Sequence, residues 1–231
     1  MIQLEAAVTD LEKSPEIGVV VVKGQGGFFC SGADLSVASG EMAAPKEGID
    51  MCEFMQNVTT RLHGLPCLSI AVVEGGALGG GTELSTACDF RIFTKGSKWR
   101  SVHVTMGLTP GWGGGARLVQ LVGRTRALRL LCGAEMLTAE QAQAVGLADL
   151  VVDAAGEELE KKVDEFIAPF LSNPISSLRG CKAVVNAGAS NNLRDALRLE
   201  LTEFGQLWGA PANVEAVKKV LTKIHHEKTK A

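Results

Sequence analysis

The stretch from Ser69 to Asp89, SIAVVEGGALGGGTELSTACD, places the strongest constraint on how this chain can fold. It opens with a short apolar run rich in β-branched residues, which predicts a buried strand. Glycines interrupt the run, and Leu84, Ala87 and Cys88 then recur at helical spacing. A strand that turns through glycines into a helix presents free backbone N–H groups and the positive end of a helix dipole. Such a turn suits an oxygen that carries or develops negative charge, whether on a phosphate or on an enolate.

The composition of the chain excludes several classes of protein. It has 231 residues, of which 46% are hydrophobic and 21% are charged, and its formal net charge is -3. This balance gives no sign of a polyanion-binding surface, so we expect no nucleic-acid partner. No apolar run approaches the roughly 18 residues that a membrane-spanning helix needs, so we expect no membrane partner. Six scattered cysteines without a C-x-x-C pair favour reduced core thiols, a cytosolic location and no metal site.

The order of strand and helix patterns predicts one domain of mixed α/β type. Strand patterns dominate residues 1–155, which we expect to form the core of the domain. From residue 156 to residue 231 the pattern is helical, with breaks near Asn173 and Pro211. We therefore expect a C-terminal helical region that belongs to the same domain.

Several local patterns make more specific predictions. Residues 17–22 read as a buried strand, and residues 36–47, which are small and polar and contain a proline, read as a mobile loop. Residues 99–105 alternate in character, as a strand does. A helix follows the loop, and its inward face carries Met51, Met55, Val58 and Leu62.

A second strand-to-turn element lies around Ala33, within residues 28–35 (FFCSGADL). Two backbone donors from separate loops are what an oxyanion hole requires. Either turn alone is explained as well by an ordinary tight turn. Finding both in order, followed by a third glycine-rich turn at residues 111–115, favours an oxyanion hole.

Three segments resemble, in order and in spacing, the signatures of the enoyl-CoA hydratase/isomerase (crotonase) superfamily. They are residues 29–35 (FCSGADL), residues 75–89 (GGALGGGTELSTACD) and residues 110–118 (PGWGGGARL). The resemblance covers essentially the whole chain. It implies an α/β, crotonase-like spiral of ββα units with a C-terminal helical trimerisation region. It also implies a homotrimer or a dimer of trimers, an acyl-CoA thioester substrate, and no cofactor, since CoA is part of the substrate.

The resemblance implies roles for individual residues. The N–H groups of Ala33 and Gly80 would hold the thioester oxygen, and Glu83 would be a catalytic carboxylate. Without the resemblance, Glu83 is explained equally by a carboxylate that stabilises a helix N-terminus. Trp112 is explained by packing as well as by a wall of the substrate site. The resemblance implies that substrate is bound by Gly32, Asp34, Leu35, Gly79, Trp112 and Gly113.

His103 departs from the family pattern. Hydratases of the family pair two glutamates to add water across a double bond, and His103 stands at the second position. A second glutamate would repel a substrate carboxylate, whereas a histidine can donate a hydrogen bond to it. The departure therefore predicts catalysis by Glu83 and His103 on a malonyl-type thioester, although His103 taken alone fits a structural histidine.

Further segments, residues 54–57 and 208–216, resemble members of the family that act on alkylmalonyl-CoA. The function implied is a carboxy-lyase that removes CO2 from ethylmalonyl-CoA, and less readily from methylmalonyl-CoA, as metabolite repair. The alternatives are hydration or isomerisation of an enoyl-CoA, and a catalytically silent scaffold with the same fold.

The start of the chain also differs from the family pattern. Family members begin with a pair of strands and an N-P-x-x-x-N-A loop that helps to hold the CoA nucleotide. Here Leu4, Val8 and Leu11 predict an amphipathic helix from the outset, with no capping residue before it. We therefore expect the chain to lack the family's first strands.

Overall fold

The computed structural model of the chain describes residues 1–34 and 45–230. The chain separates into two compact units, Met1–Ala168 and Pro169–Ala231. The predicted boundary between residues 155 and 156 lies earlier, at the start of a helix that runs past the division between the units.

The first unit alternates strands with helices. Its strands are β1 (Val19–Lys23), β2 (Leu68–Val73), β3 (Gly76–Leu78), β4 (Phe90–Thr94), β5 (Lys98–Arg100), β6 (Leu137–Thr138) and β7 (Leu150–Val152). Its helices are α1 (Ile2–Glu12), α2 (Pro45–Gly64), α3 (Gly80–Ala87), a 3-10 helix (His103–Met106), α4 (Gly114–Val122), α5 (Arg124–Cys132), α6 (Ala139–Ala144) and α7 (Gly156–Leu171), of which the last three residues belong to the second unit.

The strands form two sheets. One has the order β1-β2-β4-β7 and is parallel throughout, and the other has the order β3-β5-β6. In the second sheet β3 and β5 are parallel, whereas β5 and β6 are antiparallel. An isolated bridge between Cys30 and Ala77 attaches the segment before Ala33 to β3. The short strand β3 therefore carries the chain from the large sheet to α3 and holds both glycine-rich loops near one place.

The centre of the large sheet is buried on both faces, as parallel sheets require. Alternate residues of β2 point to opposite faces because the side-chain period of a strand is two. Ala71 and Val73 pack in a large cluster with Phe93 and Trp99. Ile70 and Val72 pack in a second cluster, on the other face, together with residues of α7. The buried strand predicted at the start of the stretch from Ser69 to Asp89 is confirmed.

Two elements in the N-terminal part of the chain have boundaries that differ from the predicted ones. The strand predicted at residues 17–22 begins at Val19, and its first four residues are only half-buried because β1 has one partner strand among those described. The loop predicted at residues 36–47 lies outside the described residues up to position 44. Its last three residues belong instead to α2, which Pro45 begins, because proline fits the first turn of a helix.

A third predicted boundary differs from the structure at the end of β5. The alternation at residues 99–105 predicts one strand, but β5 ends at Arg100 and the chain then forms a 3-10 helix. Gly107 ends this helix in the left-handed conformation, with a φ of 71°. The change of backbone takes His103 out of a sheet and places it at a short turn, where its ring can face a neighbouring loop.

The second unit is entirely helical. It contains α8 (Ile175–Ser190), α9 (Leu193–Leu207) and α10 (Pro211–Lys230). The predicted breaks near Asn173 and Pro211 are confirmed, and the chain breaks once more at Asn191 and Asn192, where the Asn192 side chain caps α9. Large apolar side chains stay exposed on this unit, including Leu193, Leu201 and Trp208.

Two expectations from composition have different outcomes. No helix of the described residues is long and apolar enough to span a membrane. The cysteines are free thiols in the described structure, but only Cys67 and Cys88 are buried. Cys132 and Cys181 are exposed, so the prediction that most cysteines are core residues is wrong, because single apolar neighbours in sequence do not fix burial on a helix.

Candidate active site

Glu83 is held by the turn that leads into α4. It lies in the first turn of α3, and its side chain is 2% exposed. Its Oε1 accepts hydrogen bonds from the backbone N–H groups of Trp112 at 2.7 Å and Gly114 at 3.0 Å, and its Oε2 accepts one from Gly111 at 3.4 Å. Glu83 therefore accepts hydrogen bonds from the unpaired N–H groups at the start of α4. Its place in the first turn of α3 does not by itself explain these contacts.

The carboxylate fits into this turn because Gly114 has no side chain. A Cβ atom at position 114 would lie 2.4 Å from Cγ of Glu83, well inside van der Waals contact. The sequence predicts a role for the neighbouring Gly113, which has a φ of 83° and precedes the first residue of α4. Gly113 thus shapes the turn, whereas Gly114 makes the room for Glu83.

His103 completes the set of groups around Glu83. Its Nε2 lies 3.1 Å from Oε2 of Glu83, and its Nδ1 lies 2.9 Å from Oγ of Ser101. The ring is largely buried, with 8% of the residue exposed. Both ring nitrogens therefore have protein partners. The predicted hydrogen bond from His103 to a substrate carboxylate would require one of these two contacts to break.

The two loops predicted to form an oxyanion hole lie against each other. The carbonyl of Cys30 accepts a hydrogen bond from the Leu78 N–H at 2.9 Å. A Cβ atom on Gly32 would come within 2.7 Å of the Gly80 nitrogen. Among the described residues, neither the Ala33 N–H nor the Gly80 N–H donates a hydrogen bond. Both predicted donors are therefore available at the junction of the loops.

Trp112 packs directly on the start of α3. A Cβ atom at Gly80 would lie 2.3 Å from Cζ3 of the indole, so only glycine fits beneath the ring. The Trp112 carbonyl accepts hydrogen bonds from Oγ1 of Thr59 and from Nη2 of Arg117, each at 2.7 Å. Trp112 is 6% exposed, so it is a packing residue that also forms a wall beside Gly80.

The electrostatics around Glu83 extend to two residues that the sequence patterns did not single out as functional. Burial lowers the pKa of the Arg117 guanidinium, and the negative charge of Glu83 opposes this effect. Burial also raises the pKa of the Cys52 thiol, and Glu83 adds to that rise. Cys52 lies against the turn as well, because a Cβ atom on Gly111 would be 2.5 Å from its Sγ.

The remaining predicted binding residues have different positions. Gly79 is buried, has a φ of 50° and accepts a hydrogen bond from the Thr82 N–H at 2.9 Å, so it shapes the start of α3. Asp34 is exposed at the end of the first described segment. Leu35 lies outside the described residues. Over the parts of the chain that the structure describes, no three His, Cys, Asp or Glu side chains converge as metal ligands would.

The family of the chain follows from comparison with known proteins. Residues 1–230 match the family described as enoyl-CoA hydratase/isomerase. The chain therefore belongs to the enoyl-CoA hydratase/isomerase family. Within it, the chain is 44% identical to the ethylmalonyl-CoA decarboxylase of Xenopus laevis over 219 residues, which cover 95% of this chain and 73% of the relative. It is 45% identical to the protein of that name from Danio rerio over 219 residues, covering 94% and 72%.

The solved structures agree with this assignment. The chain is similar to the enoyl-CoA hydratase of Bacillus anthracis, with a TM-score of 0.89 and 29% identity, covering 96% of this chain and 85% of that one. The predicted mixed α/β crotonase-like fold is confirmed by this likeness. Of the sequence-predicted catalytic residues, the structure joins Glu83 and His103 in one contact and brings the Ala33 and Gly80 loops together.

Proposed function

We propose that this protein is a carboxy-lyase that removes CO2 from ethylmalonyl-CoA. The observation that carries the proposal is the contact between Glu83 and His103 at 3.1 Å, next to two loops with available N–H donors. The identity of 44% to an ethylmalonyl-CoA decarboxylase over 95% of the chain supports the same reaction. In this site one carboxylate is present, and a histidine stands where hydration would need the second.

The chemistry follows from the thioester. The N–H groups of Ala33 and Gly80 hold the thioester oxygen, the bond between the α-carbon and the carboxylate breaks, and CO2 leaves. The bonding electrons pass to the thioester oxygen as an enolate, which the two donors stabilise by about 3 kcal/mol each. A proton then adds to the α-carbon beside Glu83 and His103, giving butyryl-CoA. The thioester carbonyl is the electron sink, so we propose that no further cofactor takes part.

Trp112 contributes to the same proposal through its position. Its ring covers Gly80 and is itself nearly buried, so water has little access to that side of the hole. A carboxylate that is poorly solvated and held out of the thioester plane loses CO2 more readily. We therefore propose that Trp112 forms part of the wall against which the leaving carboxylate lies.

Hydration of an enoyl-CoA is the second candidate, because the Bacillus anthracis relative with a TM-score of 0.89 is named an enoyl-CoA hydratase. The residue at position 103 argues against it. Hydration needs a second carboxylate beside Glu83, and the side chain that lies 3.1 Å from Glu83 is the imidazole of His103.

The experiment that tests the function compares two substrates. The protein is incubated with ethylmalonyl-CoA and with crotonyl-CoA, and CO2 and the acyl-CoA products are measured. Release of CO2 with formation of butyryl-CoA supports the proposal. Efficient formation of 3-hydroxybutyryl-CoA would overturn it in favour of hydration, and binding of both esters without turnover would favour a silent scaffold.

Finer features of the function are also proposals. We propose weaker activity on methylmalonyl-CoA, a role in metabolite repair, and a cytosolic location. We further propose a homotrimer or a dimer of trimers, which the exposed apolar side chains of the second unit support, with Leu193 and Leu201 each 74% exposed. Large exposed apolar patches commonly mark surfaces that meet another protein chain.

A further inference from the structure

Ser101 stands behind His103 in the site. It follows β5 directly, and its Oγ lies 2.9 Å from Nδ1 of the ring. Nε2 of the same ring faces Glu83 at 3.1 Å. Ser101 is 1% exposed, His103 8% and Glu83 2%. The three side chains therefore form a buried row in which the ring is held from both ends.

The placement of protons on the ring follows from what each group can donate. Oε2 of Glu83 lies 3.1 Å from Nε2 and can only accept when the carboxylate is ionised, so this contact is attractive only if Nε2 carries a proton. In the neutral ring, Nδ1 is then a lone pair that needs a donor, and the Ser101 hydroxyl supplies one. In the protonated ring, Nδ1 donates and the hydroxyl accepts. A rotating hydroxyl serves both states, which neither an alanine nor a fixed donor would do.

Ser97 shows that burial alone does not produce this arrangement. It is also 1% exposed and lies just before β5. Its hydroxyl is buried and has no hydrogen-bond partner among the described residues. The two serines are therefore matched in size and burial and differ in whether the hydroxyl meets the ring of His103.

We propose that Ser101 is a positioning residue that fixes the ring plane of His103 and keeps its Nε2 beside Oε2 of Glu83. The inference rests on the proposed function, in which the pair of Glu83 and His103 lies beside the reacting thioester. Loss of the hydroxyl leaves a buried lone pair on Nδ1 without a partner, and the ring gains freedom to turn away from Glu83.

The first test is spectroscopic and needs no substrate. The side-chain nitrogens and the Nε2 proton of His103 are observed by 15N NMR at a pH where the ring is neutral, and the signals are assigned with the variant His103→Asn. In the parent protein we expect a proton on Nε2 and none on Nδ1. In Ser101→Ala we expect the Nε2 proton to exchange with water about tenfold faster, whereas Ser97→Ala leaves it unchanged.

The second test is kinetic. Ser101→Ala should lower kcat for ethylmalonyl-CoA about tenfold while KM stays within twofold, because the ring and not the CoA binding is disturbed. Ser101→Thr, which keeps the hydroxyl, should recover kcat to within about threefold. If the threonine variant does not fold, the comparison of Ser101→Ala with Ser97→Ala still decides.

The outcomes separate this proposal from the function. An unchanged Nε2 signal in Ser101→Ala, or equal kinetic effects of Ser101→Ala and Ser97→Ala, would overturn the role of Ser101 even in an active decarboxylase. A fall in kcat with a KM raised in proportion would also contradict it. A parent protein without decarboxylase activity refutes the proposed function, whereas the NMR comparison would still report on the contact itself.

Discussion

Glu83 and Arg91 are two charged side chains, close in sequence, that the fold buries to the same degree. Each is 2% exposed, and each is solvated mainly by backbone. Arg91 donates from Nε to the Leu147 carbonyl at 2.6 Å and from Nη1 to the Cys88 carbonyl at 2.7 Å. Glu83 mirrors this arrangement by accepting from N–H groups of the turn before α4.

The two differ in the remaining partner. Arg91 has the carboxylate of Asp149 at 3.4 Å, across the pairing of β4 and β7. Burial lowers the pKa of its guanidinium, and Asp149 opposes the shift. The hydrogen bonds to the Leu147 and Cys88 carbonyls make Arg91 a structural link between the segments that precede β7 and β4. Glu83 instead faces the imidazole ring of His103 at 3.1 Å. Burial and backbone solvation are thus shared by both side chains, and an imidazole partner distinguishes the one that we propose to be catalytic.

The largest effect should come from Glu83→Gln. We expect decarboxylation to fall about 1,000-fold, because the amide cannot hold the charge that faces His103. The free energy of unfolding should fall by only about 1 kcal/mol, since the amide keeps one acceptor for the turn. CO2 release in a single turnover and urea unfolding measure the two quantities on the same sample.

His103→Ala provides the companion to this variant. It should also lower turnover strongly, because it removes the other half of the pair. The free energy of unfolding should fall only slightly. Full turnover in both variants would show that the pair of Glu83 and His103 is not the reaction centre.

Arg91→Met should have the opposite profile. We expect the free energy of unfolding to fall by about 3 kcal/mol, because buried carbonyls lose their donors and Asp149 loses its charge partner. Turnover per folded molecule should stay within about twofold of the parent. Urea denaturation, with activity corrected for the folded fraction, measures both.

A matched control for Arg91→Met is Arg129→Met. Arg129 pairs with Glu135 at the surface, where its side chain is 72% exposed, so its loss should cost less than about 1 kcal/mol. Equal destabilisation by the two substitutions would contradict the structural role assigned to Arg91.

The smallest expected effect concerns Cys52. Burial and the Glu83 charge both raise the pKa of its thiol, so at pH 8 less thiolate is present than in an unperturbed cysteine, and alkylation is slow. Glu83→Gln removes one of the two causes, and the alkylation rate of Cys52 should rise by less than the tenfold that one pKa unit gives. Mass spectrometry of iodoacetamide-treated protein measures the rate.

The exposed Cys132 of the same sample is the internal reference, and its rate should not change. Arg91→Met should leave the Cys52 rate unaltered as well. A Cys52 rate that is identical with and without the Glu83 carboxylate would mean that this charge does not reach the α2 side of the site.

The parts of the fold that depend on local pattern could be predicted from the sequence. The helical face of Met55, Val58 and Leu62 is buried as its spacing predicts. The prediction of one strand over residues 99–105 was wrong, since the strand ends at Arg100. Alternation cannot show where a chain leaves a sheet for a 3-10 helix.

The candidate site likewise contains residues that the sequence identifies and contacts that it does not. Motifs in the sequence identify Glu83 and His103, but not the contact that joins them. The role of Gly114 appears only when distant segments meet, since Gly114 is 31 residues from the carboxylate that it accommodates. Ser101 is close to His103 in sequence, but no pattern shows that its hydroxyl meets the ring. No periodic or capping signal marks such a residue, since its importance lies in the space it leaves or in one side-chain contact.

The packing around Glu83 also separates positions that can mutate alone from positions that cannot. A side chain at position 114 would strike Glu83, and one at position 80 would strike the Trp112 ring, so each change needs a second, compensating one. His103 lies on a short turn beside Val104 and Met106, each 44% exposed. Its Nδ1 lies 2.9 Å from Oγ of Ser101, and its Nε2 lies 3.1 Å from Oε2 of Glu83. Under the proposed function, a lineage with this scaffold would exchange one reaction for another through position 103, while the two loops proposed to hold the thioester stay as they are.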